Sequence, residues 1–141
     1  MREMDLLIEE DIAGYTGPNA DLVRWVPAVY RLMRHMLEDP LLPGRLRPLV
    51  LAAIAYFILP SEIISEDLRG PSGYQDDLFL CAWIAERIRQ DLGTDDILLA
   101  NWDGDVPIVP LLASILSQEQ ALIGEDRELI FWYIGYEYLE H

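Results

Sequence analysis

The sequence predicts an all-α fold, one compact domain of about five to six helices over residues 1–138. Three observations carry this prediction. Apolar residues recur at helical spacing through most of the chain. Pro and Gly close each segment after a helix-sized run. Sustained strand-like alternation is absent. The organising stretch is residues 49–85, where an apolar run from Leu49 to Leu59 and a second run opened by Asp76-Asp77 flank an acidic connector. This predicts a buried helical hairpin, 45–59 against 76–92.

Composition narrows the class. A chain of 141 residues reads as one domain, burying roughly 68–70% of its unfolded surface. The hydrophobic share is 52% and mean hydropathy +0.13. A charged share of 25% and a net charge of −15 nonetheless argue against an integral membrane chain. Spanning a bilayer takes ~20 apolar residues, and the longest run ends at Pro60 and Glu62. The opening Met1-Arg2-Glu3-Met4-Asp5 lacks a secretory pattern, and a lone Cys81 excludes an internal disulfide. Both features predict a cytoplasmic protein. The closing Leu139-Glu140-His141 resembles the remnant of an expression tag and is set aside.

All ten basic residues are Arg. Residues 21–50 hold five of them and only three of the 25 acids, Asp21, Glu38 and Asp39. Elsewhere the surface repels phosphate and anionic lipid. Nucleic acid is therefore not an expected partner. Peripheral membrane contact is left open through the Arg-rich segment alone.

Taken in order, residues 1–13 read either as a short acidic helix with Met4, Leu7, Ile8 and Ile12 on one side or as a loosely attached arm. Residues 21–38 predict an amphipathic helix. Leu22, Val26, Val29, Tyr30, Met33 and Leu37 share its apolar side, while Arg24, Arg31, Arg34 and His35 occupy others. Pro27 suits a first-turn position, so regular helix should begin near Val26. Beyond Pro48 the next helix is apolar nearly all round, which predicts burial on several sides. The following one should start near Asp76, whose carboxylate faces the positive end of the helix dipole. It becomes polar at Glu86, Arg87 and Arg89, where Arg87 and Asp91 can pair one turn apart. Thr94 should cap a short helix through Asn101. A helix within 106–123 and a last one over 125–138 complete the fold.

Five carboxylates, Glu62, Glu66, Asp67, Asp76 and Asp77, lie within the connector and its exit. Hard cations such as Mg²⁺ or Ca²⁺ want several converging oxygens. Glu62, Glu66, Asp76 and Asp77 are the candidate ligands, the alternative being helix capping and loop hydrogen bonds. No other cofactor is implied. Asn101, Asp103 and Asp105 fail as a calcium loop, because Val106 and Leu112 stand where Gly and Glu would be needed. Cys81 lies in an apolar run with no electropositive neighbour and reads as core, not as the nucleophile of a dyad with His35. Zinc through Cys and His fails on residue counts.

The C-terminal cluster Phe131, Trp132, Tyr133, Tyr136 and Tyr138 covers more than one helix face. Core packing accounts for one face. A second would be exposed and would suit a partner. The candidate interaction surfaces are thus Phe131, Trp132, Tyr133 and Tyr136, or Arg24, Arg31 and Arg34.

Tyr56, Pro60, Glu62, Ile64 and Glu66, followed by Gly73-Tyr74 and Asp76-Asp77, form a pattern that resembles the DUF1232 family, a domain of unknown function. Upstream, Tyr30-Arg31-Leu32 and Asp39-Pro40 also fit, so the likeness spans roughly 27–90. The departures are Glu62 and Glu66 for two aspartates, Ser65 for a proline, and a connector one residue longer. The resemblance implies a helical hairpin module with acidic residues at its tip, and no catalytic assignment. The resulting expectation is a non-enzymatic interaction or scaffold module that self-associates through a homodimer or meets another protein. The alternative is a divalent-cation site, structural or hydrolytic.

Overall fold

The computed structural model describes residues 8–10, 12–14, 19–58 and 73–133, and among these all regular structure is helical. Among the described residues, besides helical residues at 8–10 and 12–13, eight α-helices follow one another. They are α1 (Ala20–Val23), α2 (Val26–Glu38), α3 (Arg47–Ile58), α4 (Gly73–Leu92), α5 (Asp96–Asn101), α6 (Ile108–Ser117), α7 (Glu119–Ile123) and α8 (Arg127–Tyr133). A single 3₁₀ turn, Gly44–Leu46, leads into α3.

The count exceeds the expected five to six because two predicted helices are each broken once. Pro27 supplies no N–H for the carbonyl of Val23 and its ring crowds that carbonyl. The chain therefore restarts at Val26, with Trp25 as the residue before the helix. The second break is at Gln118 (φ −103°, ψ 25°). There the Gln118 amide turns back to Ile115 and Ser117 Oγ donates to the Ser114 carbonyl at 2.8 Å. Such back-bonding by serine competes with the helical ladder.

Helix α2 stops where Asp39 takes an extended conformation, as a residue before proline tends to do. Its Oδ1 accepts the Leu41 amide at 2.8 Å, closing the turn. Arg47 Nη1 donates to the Leu37 carbonyl at 2.6 Å, satisfying one terminal acceptor of α2. Helix α4 ends on Gly93, whose φ of +69° is the left-handed conformation that glycine adopts without strain.

The predicted hairpin is present, α3 and α4 packing together with α2 against both. Helix α4 is the true centre. It contacts α1, α2, α3, α5, α6 and α7. Leu78 through Ala82 are all buried, as are Ile84, Ala85 and Ile88. Five consecutive buried positions leave α4 no outer side in its first half. It begins at Gly73, three residues before the expected start, so Asp76 lies in the first turn. Helix α3 departs from expectation in the other direction. Its inner side, Val50, Ala53, Ile54 and Tyr56, is buried, but Pro48, Leu51 and Ala55 face outward. Leu51 is 50% exposed.

Asp91 at the end of α4 forms an ion pair with Arg45 of the 3₁₀ turn. Arg89 pairs with Glu86 and Asp95. At the N-terminus, Ile8 is buried and Ile12 packs against the core; Met4 and Leu7 lie outside the described residues, as do residues 134–141.

Candidate functional site

The first candidate is the connector end of the α3/α4 hairpin. Asp76 and Asp77, on the first turns of α4, are only 5% and 8% exposed. Tyr56 reaches across from α3, its hydroxyl 3.5 Å from Asp76 Oδ2. Gln75 is buried beside them, its Oε1 accepting the Asn19 side-chain amide at 3.1 Å. The same Asn19 amide donates to the Ala121 carbonyl at 3.1 Å. Asn19 thus ties the start of α1 to α4 and α7, from a left-handed conformation (φ 62°) that asparagine tolerates.

One turn along α4, burial pushes the Cys81 thiol well above its ordinary pKa, and the negative charge of Asp77 pushes it further. A thiol held protonated is a poor nucleophile. His35 lies against a carbonyl instead, its Nδ1 3.4 Å from the oxygen of Asn101. Glu62 and Glu66 lie outside the described residues. Of the four candidate ligands, Asp76 and Asp77 are described, as consecutive residues on α4. Among the described residues, no group of three or more His, Cys, Asp or Glu side chains could hold a metal ion.

The second candidate is the Arg-bearing side of α2. Arg31 is occupied internally. Its Nε and Nη2 donate to the two carboxylate oxygens of Asp103 at 2.9 and 3.2 Å, and its Nη1 to Glu9 at 3.0 Å. This two-pronged geometry suits guanidinium and carboxylate. Arg31 thereby ties the N-terminal segment and the 102–105 turn to α2, a role that local spacing does not suggest. Arg24 lies over the Trp25 ring at 5.0 Å and Arg34 over Tyr30 at 6.0 Å. Arg24, Trp25, Arg31, Glu9, Asp103 and Asp105 line a surface groove of about 480 Å³. Charges of both signs face this groove, so it is not the uniformly basic surface that the Arg count suggests.

The third candidate is α8. Phe131 is buried at 8% exposure, packed edge-on against Trp83 with ring centroids 4.7 Å apart. It belongs to the core and leaves the predicted interaction surface. Arg127 covers the same ring at 5.1 Å while pairing with Glu119 at 2.7 Å. Trp132 is 67% exposed and Leu129, one turn earlier, 42%. The Tyr133 side chain and Tyr136 lie outside the described residues. The outward side of α3 is a further exposed apolar surface, and sequence reasoning missed it.

No described helix is long and apolar enough to cross a membrane. No solved structure matches this chain. The uncharacterized protein ORF9 of Methanothermobacter thermautotrophicus is 26% identical over 129 residues, covering 92% of this chain and 88% of that protein. Residues 47–83 match DUF1232, described as a protein of unknown function. That span takes in α3, the connector and the first half of α4, and the Tyr56–Asp76 contact joins the two helices beside the connector. The matched span, residues 47–83, is a partial match to that family and includes Tyr56, Glu62, Glu66, Asp76 and Asp77, the residues on which the resemblance rests.

Proposed function

We propose that this protein is a non-enzymatic interaction module that self-associates, with the outer side of α8 as a contact surface. The observation that carries the reading is the 67% exposure of Trp132, beside Leu129 on the same side of α8. Trp is the residue type most often found at the energetic centre of an interface. Cys81 offers no nucleophile, since its thiol is buried and held protonated. Sedimentation equilibrium over a wide concentration range tests it. The mass should rise with concentration, and Trp132→Glu should abolish the rise. A monomer mass throughout would exclude self-association.

A second reading, a divalent-cation site, is favoured by the burial of two adjacent carboxylates, Asp76 and Asp77, at the mouth of a connector carrying Glu62 and Glu66. A cation held by the native state at 100-fold above its Kd adds about 2.7 kcal/mol of stability. Mg²⁺, Mn²⁺ or Ca²⁺ should then raise the melting temperature of the wild type, and not of the Asp76→Asn/Asp77→Asn variant. Equal melting with and without each ion removes this reading.

A further inference from the structure

Given the self-association proposed above, we infer that it runs head to tail: the acidic-rimmed apolar side of α8 in one copy seats on the outward side of α3 in the next. Charge complementarity selects this pairing. Around Leu129 and Trp132, the exposed Glu125, Asp126 and Glu128 outnumber Arg127, which is already paired with Glu119. Two α8 faces meeting symmetrically would bring these acids together, in a chain of net charge −15. The outward side of α3 has the opposite character. Pro48, Leu51 and Ala55 fall on one stripe by helical spacing, and all three are exposed. Residues 40–58 contain Arg45 and Arg47 and neither Asp nor Glu. Arg45 keeps 61% of its side chain exposed although it is paired with Asp91. This is an apolar surface flanked by arginine and carrying no carboxylate of its own, on a molecule of net charge −15. Each copy therefore carries two different surfaces that fit one another.

An interface between two different surfaces does not use itself up in a dimer. It leaves one surface open at each end and grows into a chain or closes into a ring. This gives a test that a symmetric interface cannot pass. Leu51→Glu blocks one surface and Trp132→Glu the other; both positions are at least half exposed, so both variants should keep the wild-type circular dichroism and melting temperature. By light scattering at a concentration where the wild type assembles, each variant alone should be a monomer. Mixed in equal amounts, they should give a species of twice the monomer mass and nothing larger, because one intact interface remains. Raising the salt concentration should weaken that dimer. If the wild type assembles but the mixture stays monomeric, or either variant assembles as the wild type does, the head-to-tail arrangement is wrong while self-association stands. If the wild type is monomeric at every concentration, both fall.

Discussion

The Tyr56 hydroxyl on α3 points at Asp76 Oδ2 on α4, 3.5 Å away and buried, so the two arms of the hairpin are joined beside the connector by a polar contact. A buried carboxylate has to be solvated by the protein when water is excluded. Removing the hydroxyl with Tyr56→Phe should cost roughly 0.5–1.5 kcal/mol, the lower end fitting so long a contact. Urea denaturation of the two proteins measures it, and unchanged stability would mean that the contact contributes nothing.

The contrast between α4 and α3 can be read by truncation. Leu80 and Ile88 are fully buried, whereas Leu51 is half exposed. Leu80→Ala or Ile88→Ala should lose about 2–5 kcal/mol by leaving a cavity. Leu51→Ala should stay within about 0.5 kcal/mol of the wild type. Similar losses at Leu80 and Leu51 would contradict the outward orientation of Leu51.

Gly104 lies under the indole of Trp102, whose Nε1 donates to the Val106 carbonyl at 2.7 Å. A Cβ at position 104 would come within 2.2 Å of the ring. Gly104→Ala must displace the ring or the turn, at a cost of about 1–3 kcal/mol. The expected signature is a lower melting temperature with a changed tryptophan emission, since Trp102 also packs near Trp25.

A double-mutant cycle of Arg31→Met with Asp103→Asn isolates the paired contact from everything else the two side chains touch. The partners are 27% and 44% exposed, which keeps the expected coupling to about 0.2–1 kcal/mol, falling as salt is added. Zero coupling at low salt would remove the electrostatic part of this tie.

Acid should weaken the fold through two carboxylates. The Asn101 side-chain amide, then the Leu41 amide, hold Asp39 below its ordinary pKa. Arg89, more than Gln90, does the same for Glu86. A depressed carboxylate contributes stability above its unfolded pKa and loses it as pH falls through the folded value. Asp39→Asn should therefore flatten the acid side of a stability–pH curve and leave its slope near neutrality unchanged. An unaltered acid limb would refute the assignment.

Much of the architecture was legible because it is written in local chemistry. Pro27 marks the start of α2, the apolar run after Asp76 marks α4, and the acidic tip with Tyr56 marks the family segment. What escaped was set by contacts between distant parts of the chain. Nothing local says that Arg31 meets Asp103, 72 positions away. Nor does composition say which side of α3 remains uncovered, because Leu51 and Val50 look alike as residues. The aromatic cluster that opens at Phe131 marked a helix, which the structure describes to Tyr133, with its faces unassigned. Trp83 decided that Phe131 turns inward, and Trp83 belongs to a different helix.

Being touched by six other helices fixes the order in which this molecule can come apart. No neighbour can keep its place once α4 leaves, so there is no small opening that frees the middle of that helix. Its amide protons around Leu80–Ile88 should exchange with deuterium only when the entire molecule unfolds, at one shared rate. Those of α8, which meets α4 chiefly through the Phe131–Trp83 ring contact and ends the described residues, should exchange far earlier.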